Sequence, residues 1–124
     1  MMTEETVLSF IKGQLDAWET ARNNFAALAN VKVKEFRIGG STFKVQFNPG
    51  RIVSSAAKVD AKSLKERKCF LCEANRPAVQ EGIAWEGYTV LVNPFPIFPL
   101  HLTIPANDHT DQIIGGRICD MMRL

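Results

Sequence analysis

An excess of charge of one sign is almost missing from this chain. Lysine and arginine number 15 against 13 acidic residues, a net of +2, too little to draw the chain to nucleic acid or an anionic membrane. Absent too is any apolar run near the roughly 18 residues of a membrane span. The first residues, Met1-Met-Thr-Glu-Glu5, put acid where a secretory signal has positive charge. Cysteine is scarce: three residues, an odd count with two in a C-x-x-C pair, fit a reduced compartment better than a disulfide scaffold. Cytoplasm is the expected location. Only two histidines occur, and there is no Ser-His-Asp arrangement, P-loop, G-x-G-x-x-G or catalytic pair of carboxylates. No residue is assigned a catalytic role.

What remains is an ordinary globular composition, 46% hydrophobic and 23% charged over 124 residues, sufficient for one domain with a sizeable core. Thr3 is a candidate N-cap, with Glu4 and Glu5 at the positive end of a helix dipole. Val7, Ile11, Leu15, Trp18, Phe25 and Leu28 then recur at helical spacing, predicting a long amphipathic helix over about Glu4 to Ala29. Val31 to Arg37 and Thr42 to Phe47 flank Gly39-Gly40, a hairpin signal, with Phe43, Val45 and Phe47 on one face. A short helix is expected near Ala61 to Arg67. The knot Lys62, Lys65, Arg67, Lys68 reads as solvated surface.

Tyr88 to Val92 is strand-like, and His101 to Ile104 is a second short strand. Pro94, Pro96 and Pro99 forbid regular structure between them. Asp108 is a candidate cap for a closing helix with Ile114, Ile118, Met121 and Met122 on its apolar side, and it meets the last residue with no stop signal. Cys119 would pack there as a small hydrophobe. The expected fold is α+β, an antiparallel sheet with a long N-terminal helix and a C-terminal helix. It forms one domain over residues 1–124, with the helix in 1–30 and an α+β unit in 31–124.

Cys69 and Cys72 have the spacing of a metal knuckle, in which both thiolates reach one tetrahedral zinc. Two inert buried cysteines and a redox pair are the other readings, although Phe70 and Leu71 between the thiols and Pro77 after them suit redox chemistry poorly. His109 is the natural third ligand and His101 its competitor. Asn48, Gly50 and Arg51 make a second candidate site, where glycine permits close backbone approach and the arginine fork suits phosphate oxygens. The alternative is a turn with a surface arginine. Asn93, before the proline corner, can bind a sugar hydroxyl or close the turn.

These residues resemble a family. The segment from Val92 to His109 resembles the part of histidine-triad (HIT) superfamily proteins where an acidic or amide residue precedes two prolines, then a strand ending Ile-Pro, then a histidine. Cys69-Phe-Leu-Cys72 is similar to the zinc pair upstream of it in many of these hydrolases and in hexose-1-phosphate uridylyltransferases. Val45-Gln-Phe-Asn-Pro-Gly-Arg51 resembles the Gln-Leu-Asn-Glu-Gly-Arg motif of GDP-hexose phosphorylases. The likeness covers roughly residues 45–124. It implies a HIT-like fold and nucleotidyl transfer or phosphorolysis on nucleotide sugars or dinucleoside polyphosphates, through a nucleotidyl-histidine. Asn93 would contact ribose and Arg51 the phosphates or base. Cys69, Cys72 and His109 would hold zinc, with the fourth ligand from near the downstream triad.

The family's H-x-H-x-H/Q motif has no counterpart, since His101-Leu-Thr103 is not that motif. The expectation is therefore the N-terminal portion of such a transferase or phosphorylase, inactive alone and completed by a homodimer partner or a missing C-terminal half. The alternative is a stand-alone zinc-stabilised module that binds a nucleotide or a protein without catalysis.

Overall fold

The computed structural model describes residues 2–123. It is α+β, with helices at both ends and antiparallel sheets between them. The N-terminal helix is present as two pieces, α1 (Glu4–Ala17) and α2 (Glu19–Ala27). Thr3 caps α1 as its spacing predicts, its hydroxyl accepting the Thr6 N–H at 3.2 Å. The break falls at Trp18, whose backbone is extended (φ −112°, ψ 97°). Helical carbonyls freed there need other donors, and the Arg22 guanidinium supplies them, reaching Leu15 O at 3.1 Å and Asp16 O at 2.9 Å. The apolar stripe faces inward on both pieces, with Ile11, Trp18 and Ala21 buried.

Strands β1 (Lys32–Ile38) and β2 (Ser41–Phe47) form the expected hairpin. Gly39 and Gly40 supply its turn at φ 56° and 81°, the left-handed values that two-residue hairpin loops require. A short helix α3 (Ile52–Ser55) and then α4 (Ala61–Glu66) follow. Asp60 caps α4, accepting the Ser63 hydroxyl at 2.6 Å and its backbone N–H at 2.9 Å. Those two bonds, the hydroxyl first, hold the Asp60 carboxyl below the usual carboxylate range.

A second, three-stranded sheet runs β3–β4–β5, from β3 (Gly82–Trp85), β4 (Tyr88–Val92) and β5 (Leu102–Thr103). β4 is central, paired along both edges, and its consecutive residues Val90, Leu91 and Val92, which point alternately to the two faces, are all buried. β3 approaches it so closely that a Cβ at Gly82 would collide with Thr89 Cγ2 and come within 2.9 Å of Leu91 Cδ2. Side-chain amides staple the helices to this layer. Buried Gln14 donates to Val79 O at 3.3 Å and accepts from Glu81 N–H at 3.1 Å, while Asn24 donates to Pro94 O at 2.8 Å.

The closing helix is shorter than its apolar spacing suggests. α5 spans Ile118–Arg123, and residues 108–114 are irregular, so Asp108 caps nothing and His109 lies in a loop. Gly115 and Gly116 are the physical reason. Gly115 sits at φ 50°, outside the α-helical region, and the chain enters α5 through a 3-10 turn, Gly115–Arg117. Polar contacts hold α5 in place of an apolar stripe: Tyr88 OH donates to Asp120 at 3.4 Å, and Arg123 lies 3.6 Å from Glu86. Ile118, Met121 and Met122 are exposed, as is Cys119, which is not packed as a small hydrophobe. The end of the predicted helix, at Leu124, lies outside the described residues. No helix among them is long and apolar enough to cross a membrane.

Candidate metal centre and proline corner

Two loops bring Cys69, Cys72 and His109 together. The first is the cysteine turn itself: Cys72 N–H donates to Cys69 O at 3.3 Å, and Asn75 Nδ2 donates to the same carbonyl at 3.0 Å. Asn75 was not singled out from the sequence; its signal is an amide three residues past the second cysteine, placed to close the knuckle. The second loop is delivered by residues that run antiparallel to β4 beyond β5. Thr89 N–H donates to Pro105 O at 3.0 Å, Asn107 N–H to Gly87 O at 2.9 Å, and the Thr89 hydroxyl to Asn107 Oδ1 at 2.7 Å. Two residues later His109 Nδ1 lies 3.2 Å from Cys72 Sγ.

The three donor atoms lie within 4.8 Å of one another. A tetrahedral zinc with bonds of about 2.0–2.3 Å places its ligands roughly 3.5–3.8 Å apart, so the trio closes on such an ion with a shift of about an ångström. Two sulfurs and one imidazole are a donor set that suits it. Burial pushes the Cys69 thiol up, but the backbone N–H groups of Leu71 and Cys72, the Cys72 thiol and Arg67 outweigh that and leave it below its usual range. Cys72 moves the other way. Its bond to Cys69, its burial and the neighbouring sulfur's charge all raise it, against the opposing pull of Arg76. The cysteines are half-buried and unbridged, and His101 stands apart from them.

His101 belongs to the other candidate site. The segment Pro94 to Leu100 folds into a corner that several side chains pin. Asn93 Oδ1 accepts Phe95 N–H at 2.9 Å, and its Nδ2 donates to Thr103 Oγ1 at 3.0 Å. Its side chain therefore closes the turn, the second of the two roles its position suggests. Ile97 N–H donates to His101 Nδ1 at 3.0 Å, so a neutral His101 carries its proton on Nε2. Burial first, and the Arg51 charge second, lower the His101 pKa below 6.5.

Asn48 reaches this corner from the end of β2, where its Oδ1 accepts Gly50 N–H at 3.1 Å and its Nδ2 donates to Pro96 O at 3.3 Å. Gln46 adds a bond to Ile97 O at 3.2 Å. The Arg51 Nη1 is fully buried without a hydrogen-bond partner among the described residues, as is Arg76 Nε. A buried guanidinium nitrogen with nothing to donate to is uncommon. Two surface depressions, of about 710 and 470 Å³, lie elsewhere, along α1 and beside β3.

The hairpin motif therefore meets the proline corner, and the cysteine pair meets the end of the same segment. A family model described as Domain of unknown function (DUF4922) matches residues 10–124, and the chain belongs to that family. Comparison with curated proteins and with solved structures finds no match.

Proposed function

We propose that this DUF4922 chain is the N-terminal, zinc-pinned portion of a HIT-like nucleotidyltransferase or phosphorylase that acts on nucleotide sugars or dinucleoside polyphosphates. One observation carries the reading: three motifs that resemble that superfamily, separated in sequence, are neighbours in space. Asn48 binds Pro96 O, Gln46 binds Ile97 O, and Cys72 touches His109.

In this reading zinc is structural. Cys69, Cys72 and His109 hold it, tying the cysteine turn to the segment after β5, and the fourth position is filled by water or by a ligand from another segment or chain. The Arg51 guanidinium, one nitrogen of which has no partner, meets the phosphates of a nucleotide with a planar fork. Asn93 borders the ribose while it holds the corner. Neither histidine is available as a nucleophile: His101 accepts from Ile97 N–H and His109 sits with the cysteines. A nucleotidyl-histidine therefore requires a histidine from beyond these 124 residues, and the chain binds without turnover.

The test is calorimetric titration of a nucleoside diphosphate and a nucleotide sugar into the zinc-loaded protein, together with an assay for phosphorolysis. Binding that weakens when Arg51 is changed to alanine, with no turnover, supports the proposal. Phosphorolysis by the 124-residue chain, or binding indifferent to Arg51, contradicts it. Zinc at the cysteine cluster with no nucleotide affinity favours the second reading, a zinc-stabilised module that binds a protein.

A further inference from the structure

The β1–β2 hairpin carries an apolar face that the described residues leave uncovered. In an antiparallel pair, opposed residues point the same way and neighbours alternate. The register therefore puts Phe36, Ile38, Phe43, Val45 and Phe47 on one side with Lys32, Lys34 and Ser41. Val33, Glu35, Arg37, Thr42, Lys44 and Gln46 occupy the other. The more polar side is the one turned toward the rest of the chain, because Gln46 is anchored on Ile97. The apolar side faces out, its five residues 40–64% exposed.

We infer that this face is the interface with a second copy of the chain, hairpin stacked on hairpin about a two-fold axis. Area is the first argument. Three phenylalanines, an isoleucine and a valine at that exposure offer on the order of 500 Å² per copy, so a pair buries roughly 1,000 Å² or more, near the lower bound of specific interfaces. Charge is the second. The only charges on the face, Lys32 and Lys34, sit together at the open end of the hairpin. Antiparallel stacking lays them over the second copy's glycine turn, about 20 Å from its own lysines, and their aliphatic stems cover apolar surface there. Within one chain the Lys34 Nζ already sits over an aromatic face of this side, 5.2 Å from the centre of the Phe36 ring. Stability is the third: a lone two-stranded hairpin is marginal in water, and two apolar sheet faces packed about 10 Å apart form a core. This inference is independent of the nucleotide reading.

Sedimentation of the full chain over about 1 to 100 µM, the range in which an interface of this size dissociates, should show a monomer–dimer equilibrium. Phe43→Glu should leave it monomeric throughout. Lys44→Gln, on the opposite face, should leave dimerisation unchanged. Amide exchange of residues 36–47 in the wild-type chain should slow as concentration rises, a readout that holds even if Phe43→Glu fails to fold. A monomer at the top concentration overturns the inference, and so does a dimer that survives Phe43→Glu. Hairpin exchange that ignores concentration while a dimer forms overturns it too.

Discussion

His101 and His109 are eight residues apart and differ entirely in surroundings. His109 meets Cys72, whereas His101 takes a backbone N–H from Ile97 and lies edge-on to Phe98 with ring centroids 6.0 Å apart. Burial and Arg51 keep His101 neutral below its usual pKa of 6.5. A histidine so depressed adds stability that is complete above about pH 6.5 and is lost as pH falls toward the folded value, because the unfolded chain takes up the proton first. Denaturant midpoints at about pH 7.5 and about pH 5.5 should therefore differ less in His101→Asn than in wild type; equal pH slopes would contradict that. At Arg51, alanine removes a charge-assisted donor and should weaken nucleotide binding about tenfold to a hundredfold by calorimetry. The cluster of Cys69, Cys72 and His109 was legible because a set of thiol and imidazole donors needs so few residues. The choice of His109 over His101 was favoured by sequence and is met in space by strand pairing. The role of Asn75 was invisible, because it depends on how the cysteine turn closes.

Elements whose signal is local were readable, and those that depend on distant partners were not. Gly39-Gly40 announced the β1–β2 hairpin, and β-branched residues announced β4 at its observed bounds. β3 escaped notice because four residues hold too little alternation to register, and its turn uses Glu86 at φ 39° before Gly87. Gly82 in that strand has a reason that only packing reveals. Gly82→Ala should lower stability by about 1–3 kcal/mol, since the Cβ has no room between Thr89 and Leu91; urea unfolding measures it, and an unchanged midpoint would refute the packing argument. The break at Trp18 was equally hidden, because the stripe of apolar residues continues across it and Arg22 repairs the backbone from a turn away. At the other end, Gly115-Gly116 outweighed the apolar spacing that suggested a longer closing helix.

Taken whole, the chain is held together by few but far-reaching polar ties. Gln14 joins α1 to residues 79–81, Asn24 joins α2 to Pro94, and Gln46 and Asn48 join the hairpin to the corner. The cysteine cluster adds one more, and a metal there would stabilise the fold by mass action, because it binds the assembled site and not the dispersed chain. Chelation should accordingly lower the thermal midpoint by about 10 °C, the shift expected from roughly 3–4 kcal/mol of linked binding; differential scanning fluorimetry with and without chelator checks it. The most direct test of the account is the metal content of the purified protein, measured by elemental analysis beside Cys72→Ser and His109→Ala. One zinc per wild-type chain, lost from both variants, is the predicted result. A wild-type chain that takes up no zinc, or variants that keep it, would contradict the central claim that these residues form one metal centre.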